Sequence, residues 1–298
     1  MKYKDLLNEW LEDQRTYQKY STYSLYCNIV QNHIIPDLGE CDIDELTTDK
    51  IQAYALDKIN HGSLVDDKGL SVRFVKDIIG VVASTSKKEL NIKLPYTPPK
   101  QIDIFEKEDQ IKLMNHLHSH MCPKNLGILL CMHTGIRIGE LCALKWSDIN
   151  LDTRTIKIEK TMIRTYTKAD GSKLRITPPK SRSSVRIIPL NSTISYSVNL
   201  MQNSDDDTYV LTGTKRYIEP NKYRLYYNKM LKQLGIKHLK FHCLRHTFAT
   251  RCIECGCDYK SLSQILGHSN VSITMNLYVH PQMEMKRKCV EMLADYYK

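Results

Sequence analysis

Four short segments of this 298-residue chain carry residue types that together could transfer a phosphoryl group without a metal. Gly135-Ile-Arg137-Ile-Gly-Glu140-Leu sets an arginine just past a glycine break, at the start of a helix. Pro179-Lys180-Ser-Arg182 falls where a predicted hairpin meets its last strand. Phe241-His242-Cys-Leu-Arg245-His246 brings two histidines and an arginine onto about one helical turn. Leu266-Gly267-His268 is followed ten residues later by Tyr278.

Attack on a phosphodiester builds negative charge on the non-bridging oxygens, and the planar fork of a guanidinium matches two of them at once. Arg137 and Arg245 could hold that charge from two sides. A tyrosine hydroxyl titrates near a pH of about 10, so an attacking Tyr278 needs a base or strongly cationic surroundings. His242 is a reasonable base. The departing 5′ oxygen needs a proton, which a lysine set among arginines can give, and Lys180 would supply it. Taken singly, each residue has an ordinary reading. An arginine at a helix start more often meets a carboxylate or solvent, Glu140 would make local hydrogen bonds there, and a lysine beside a hairpin is usually solvated. His242, His246 and His268 could each be structural, and Tyr278 is one of 18 tyrosines. Their order and context together are what point to chemistry.

The elements that must position these residues follow from apolar spacing. In the first hundred residues, Leu6, Leu7, Trp10 and Leu11 form one helical face, and Tyr23, Tyr26, Cys27, Val30 and Ile34 a second, stopped by Pro36 and Gly39. Thr47 and Ser71 are N-cap types for two more helices, one carrying Ile51, Tyr54, Ala55 and Ile59, the other Val72, Val75, Ile79, Val82 and Ala83. The run Leu94-Pro-Tyr-Thr-Pro-Pro99 removes backbone donors and reads as an extended linker. Beyond it the spacing predicts a helix over about Glu106 to His120 and a buried one from Leu126 to Thr134. From Thr155 to Leu190 the period changes to two, with a turn at Ala169-Asp-Gly171, which predicts a three-stranded sheet with a long hairpin. Helical patterns resume near Tyr223. The fold class expected is mainly α with a small antiparallel β-sheet, in two domains.

Charge separates the two parts. Residues 1–100 hold 13 Lys and Arg against 15 Asp and Glu, a balance of −2, whereas the whole chain carries +10, so the basic surplus lies entirely beyond residue 100. A polyanionic partner, DNA or RNA before anionic lipid, belongs to that part. No apolar run is long enough for a membrane span and the N-terminus has no hydrophobic signal core, so no membrane is expected. Ten scattered cysteines suit the free thiols of a reducing cytosol. Cys252, Cys255 and Cys257, with Cys243 nearby, lack the second pair that a zinc site uses, so no metal is expected there.

The segments TGIRIGELCALKW, PPKSRSSVRIIPL, FHCLRHTFAT and LGHSNVSITMNLYVHP resemble the four signature boxes of the tyrosine recombinase (phage integrase) family, in order and separation, across roughly residues 105–298. The resemblance implies a site-specific recombinase that cleaves and rejoins DNA through a 3′-phosphotyrosine, integrating and excising a mobile element without any cofactor. It assigns Arg137 and Arg245 to a phosphate clamp, His242 to proton transfer and phosphate contact, and Lys180 to protonation of the leaving hydroxyl. His268 becomes a hydrogen-bonding partner of the scissile phosphate, Tyr278 the nucleophile and Glu140 a structural support. It also implies a SAM-like helical core-binding domain over 1–93, a linker over 94–104 and a catalytic domain over 105–298, the first and last forming a C-shaped clamp on duplex DNA.

The arm-binding domain that many such integrases carry ahead of the clamp is not visible in these residues, and the long hairpin resembles those of conjugative-transposon and phage integrases more than those of chromosome-dimer resolvases. A trimmed integrase is therefore expected; a naturally short resolvase, or a catalytically silent DNA-binding regulator of the same fold, is the alternative. The tail helix over 283–298 keeps an apolar line at Met285, Cys289, Met292, Leu293 and Tyr296. That line would pack on its own domain or, as in relatives, on a neighbouring protomer of a homotetramer at synapsis. An excisionase or DNA-bending accessory protein and a bacterial cytoplasmic location complete these expectations.

Overall fold

Periodic apolar spacing drives the first hundred residues into five helices: α1 (Tyr3–Tyr17), α2 (Tyr20–Ile29), α3 (Ile35–Leu38), α4 (Thr48–His61) and α5 (Val72–Ser86). The computed structural model describes the chain except residues 67, 99–101, 180, 204, 279–282 and 298. Thr47 and Ser71 do cap α4 and α5, their hydroxyls accepting from the backbone N–H of Lys50 and Phe74 at 3.3 Å each. The second expected helix differs. Pro36 has no N–H with which to continue an α-helical ladder, and the chain widens into a π turn over Val30–Ile34, with Ile35 N–H donating to the Val30 carbonyl, before α3 closes it. Leu7, Leu11, Cys27, Val30, Ile34, Ile51, Tyr54, Val75, Ile79 and Val82 are buried in one core, with Leu6, Trp10, Tyr23, Tyr26 and Ile59 packed on it.

The chain divides into two compact units, residues 1–100 with 164–175, and residues 101–163 with 176–298. In the first unit, the tip of a hairpin joins the helices. Tyr166 N–H donates to Ser24 Oγ at 2.6 Å, and Arg175 lies 4.4 Å from the centre of the Tyr20 ring while donating to Asp170 at 2.7 Å.

The second unit holds α6 (Lys107–Ser119), α7 (Pro123–Thr134), α8 (Ile138–Cys142), α9 (Ser192–Met201), α10 (Pro220–Gln233), α11 (His242–Glu254), α12 (Tyr259–Leu266), α13 (Val271–Tyr278) and α14 (Met283–Tyr296). Helix α7 is buried from Asn125 to Met132 and packs on α11 and α9, so it forms the centre of this unit. Strands β1 (Ile149–Asn150), β2 (Thr155–Ile158) and β5 (Arg186–Pro189) make an antiparallel sheet in that order. The hairpin β3 (Thr161–Thr167) and β4 (Gly171–Thr177) forms a separate two-stranded sheet, so the third strand of the main sheet is β1 and not a hairpin arm. The fold is mainly α with small antiparallel sheets. Among the described residues, no helix is long and apolar enough to cross a membrane.

In α14, Met292, Leu293 and Tyr296 are exposed, as is Val290, so the described part of the expected apolar line is not covered by its own unit. The side chains of Met285 and Cys289 lie outside the described residues.

Candidate active site

Helix α7 ends at Gly135, whose φ of +63° is left-handed backbone that a side chain resists. A Cβ here would also stand 2.6 Å from Phe248 Cδ1. The tight turn delivers Arg137 to the N-cap of α8. There the Glu140 carboxylate accepts from the Arg137 backbone N–H and from Arg137 Nη1, both at 2.9 Å. Arg137 Nη2 reaches the Gly267 carbonyl at 3.3 Å, and the side chain remains 34% exposed, open to an incoming anion.

Glu140 is itself buried and is shared. Arg186 donates to both of its oxygens, Nη1 to Oε1 at 3.0 Å and Nη2 to Oε2 at 2.9 Å, and its Nε donates to the Ile265 carbonyl at 2.6 Å. Burial raises the Glu140 pKa, but the hydrogen bonds and charges of Arg186 and Arg137 outweigh it, so the carboxyl ends below its ordinary value and stays ionised. Arg186 was not singled out in the sequence. The signal was nonetheless there: opposite Ile158 in the register, Arg186 shares the inward face of β5 with Ile188, where alternation calls for an apolar residue.

Arg245, on the first turn of α11, is almost fully buried beneath the same surface. Its Nη1 donates to the Gly135 carbonyl, and its Nη2 to the Leu266 carbonyl and to His268 Nε2, each at 2.8 Å. Burial first, then the nearby Arg137 charge, lowers its pKa. Because a guanidinium can only donate, His268 Nε2 must be the unprotonated nitrogen, which leaves Nδ1–H to donate to Thr274 Oγ1 at 2.8 Å. His268 is thus a neutral imidazole locked at both ends, its pKa pushed down to about 4 by burial and then by Arg245, Arg137 and Arg186.

His242 opens α11 with its ring towards solvent, making no hydrogen bond to a described residue. Desolvation by the surrounding protein, ahead of the charges of His246, Arg245 and Arg137, lowers its pKa to about 4. One turn along the helix, His246 stands 4.5 Å from His242, ring centre to ring centre. The Tyr278 hydroxyl lies 2.8 Å from His246 Nδ1. The tyrosine ring packs with Ala249, Ile253, Leu262 and Leu266, and runs nearly parallel to the His268 ring at 6.5 Å. Burial raises the Tyr278 pKa, against the opposing pull of Arg245 and Arg137.

The structure therefore brings Arg137, Glu140, His242, Arg245, His268 and Tyr278 into one connected cluster within the second unit. Lys180 lies outside the described residues. Three guanidiniums and one carboxylate, Glu140, which bonds only Arg137 and Arg186, leave a surplus of positive charge beside a tyrosine hydroxyl, which is a setting for binding an anion and attacking it. Among the described residues, no group of three or more His, Cys, Asp or Glu side chains is arranged to hold a metal.

The sequence profile of the phage integrase family matches residues 104–285, and that of the phage integrase N-terminal SAM-like domain matches residues 2–58. The chain is similar to the tyrosine recombinase XerC-like protein of Caldanaerobacter subterraneus subsp. tengcongensis, 29% identical over 98% of this chain and 83% of that protein. Its fold is similar to that of the Tn1549 transposon integrase solved in complex with transposon right end DNA, with a TM-score of 0.75 at 20% identity, covering 99% of this chain and 100% of that one. A lambda integrase tetramer bound to a Holliday junction gives a TM-score of 0.63 at 16% identity, covering 95% and 80%.

Proposed function

The chain belongs to the phage integrase family, and on that premise we propose that it is a site-specific DNA recombinase that integrates and excises a mobile element through a 3′-phosphotyrosine intermediate. The observation that carries this reading is the buried Tyr278, its hydroxyl turned towards a cluster that contains Arg137, Arg245 and His268. A scissile phosphate placed there meets the open guanidinium of Arg137 and the exposed ring of His242, with Arg245 beneath. Tyr278 attacks phosphorus, and Lys180 protonates the 5′ oxygen that leaves. Glu140 holds Arg137 in place from behind. His268 bonds the phosphate in its other neutral tautomer, with the ring hydrogen on Nε2 and the Thr274 hydroxyl donating to Nδ1, once the anion draws Arg245 away. The bond energy of the cleaved strand is kept in the phosphotyrosine, so rejoining needs no nucleotide.

Double-stranded DNA is the partner, and the basic surplus beyond residue 100 supports it. The 1–93 and 105–298 portions act as core-binding and catalytic domains joined by 94–104. Recombination of two duplexes needs four tyrosines, so a homotetramer forms at synapsis, with the exposed apolar face of α14 docking on the next protomer. Work in the bacterial cytoplasm, with an excisionase or DNA-bending protein setting direction, fits this role.

Selection from a random duplex pool yields the preferred site, and a nicked half-site made from it traps the intermediate. The chain is expected to give a covalent protein–DNA adduct on a denaturing gel that Tyr278→Phe does not form. Absence of the adduct on the selected site, or its persistence in Tyr278→Phe, overturns the reading.

A further inference from the structure

The family resemblance gives proton transfer to His242, yet the tyrosine hydroxyl rests on a different histidine. Tyr278 Oη is 2.8 Å from His246 Nδ1, and the two rings are 5.6 Å apart. His242 lies a turn nearer the start of α11 and points into solvent. Resting on the reading of Tyr278 as nucleophile, we propose that His246, not His242, accepts the proton of the Tyr278 hydroxyl as the phosphotyrosine bond forms.

The surroundings support a base at this position. Groups facing His246 are His242 and Arg245 from its own helix, Tyr278 from α13, and Asp103 from the segment ahead of α6. That segment is pinned to α11, because Phe105 N–H donates to Thr247 Oγ1 at 2.9 Å and Arg251 Nη2 donates to the Phe105 carbonyl at 2.8 Å. Burial and then Arg245 lower the His246 pKa against a small opposing pull from Asp103, which keeps the ring neutral and able to accept at neutral pH. The buried phenol keeps its proton, and in the imidazole tautomer that carries its hydrogen on Nε2 the short contact is an O–H donated to Nδ1, the arrangement the proposal uses. Such a phenol is a poor nucleophile until something removes that proton, and the acceptor is already in hydrogen-bond reach.

The step balances. As Tyr278 Oη attacks, its O–H bond breaks and the proton passes to His246 Nδ1. The Oη–P bond forms while the bond from phosphorus to the 5′ oxygen breaks, and that oxygen takes a proton from the acid proposed to be Lys180. The products are a 3′-phosphotyrosine, a 5′-hydroxyl and a protonated His246, which returns its proton to Tyr278 when the incoming 5′-hydroxyl displaces it.

Single-turnover adduct formation on the nicked half-site tests this, with DNA binding and thermal melting measured alongside. His246→Asn places an amide near the Nδ1 position, so it can hold the hydroxyl but cannot take its proton. The expected result is an adduct rate about 100-fold or more below that of the unaltered chain at neutral pH, with DNA binding and melting unchanged. The variant also loses the flat upper part of the rate–pH profile, its rate climbing with pH towards the phenol's own titration. Added imidazole partly restores the rate of His246→Ala. Full activity of His246→Asn means that His246 only positions the tyrosine and overturns the proposal; an unaltered chain that forms no adduct overturns the recombinase reading itself, and this proposal with it.

Discussion

Glu140 is the residue on which the arginines depend. Its two oxygens accept four hydrogen bonds, two from Arg137 and two from Arg186, in a site from which water is largely removed. Removing one member of such a pair strands an uncompensated buried charge, which costs about 3–5 kcal/mol. Glu140→Ala is therefore expected to lower unfolding stability by that amount in chemical denaturation and to abolish adduct formation. Pairing it with Arg186→Met removes the stranded charge, so the double variant should lose less stability than the two single losses added together. His268 supports a second expectation. Its folded pKa of about 4 lies below the ordinary 6.5, so as pH falls through that window the unfolded chain gains a proton that the folded chain refuses. Stability from this group is full above about pH 6.5 and lost towards pH 4, on the order of 2 kcal/mol. The melting temperature should fall across that range, and His268→Gln, which keeps an acceptor facing Arg245 but does not titrate, should make the fall shallower, with His242 and His246 keeping their own share of it. The residues of the family boxes were legible because their types are rare in combination at those separations. Arg186 and His246 were not given roles because their partners, Glu140 and Tyr278, are 46 and 32 positions away in sequence, and pairings of that range come only from the fold.

At the scale of elements, the site is assembled by helix ends. The C-terminus of α7, the N-terminus of α8, the first turn of α11 and the C-terminus of α12 meet, and the carbonyls that α7 and α12 leave behind, Gly135 and Leu266, become the acceptors that hold Arg245. Gly135→Ala should strain the left-handed backbone and push a methyl against Phe248, costing about 2 kcal/mol or more of stability. It should also slow adduct formation through the displaced acceptor, whereas a comparably destabilising core change far from the site, such as Ile78→Ala in the first unit, should leave the per-molecule rate intact. Single-turnover kinetics on folded fractions separates the two. Helix identities and both caps were legible from spacing, since Thr47 and Ser71 are the short side chains that reach a backbone N–H two or three residues on. The π turn at Val30–Ile34 was not, because it is the compromise of a helix that keeps burying Val30 and Ile34 while Pro36 withholds its donor. Strand β1, of two residues, offers no period for a pattern to show.

For the whole molecule, the exposed apolar face of α14 is the feature that calls for a partner. Val290 is 69% exposed, Met292 64%, Leu293 53% and Tyr296 83%, four apolar side chains held in water on one short helix. Leaving them exposed is unfavourable by roughly 25 cal/mol per Å2 of apolar surface, so burying such a face on a second copy is a ready source of association energy. Two duplexes must be held together for strand exchange, while a single half-site needs only one protomer. A chain ending at Pro281 is accordingly expected to bind a single site with unchanged affinity and salt dependence, both of which come from the basic charge of the preceding residues. It should fail to bring two sites into one complex, as read by native gel or sedimentation of paired duplexes, and recombination should drop with it. Substituting Met292, Leu293 and Tyr296 together by serine should reproduce the truncation if docking is the cause. Normal synapsis by both altered chains would place the joining surface elsewhere, and loss of single-site binding by either would mean that α14 supports its own unit and not a neighbour.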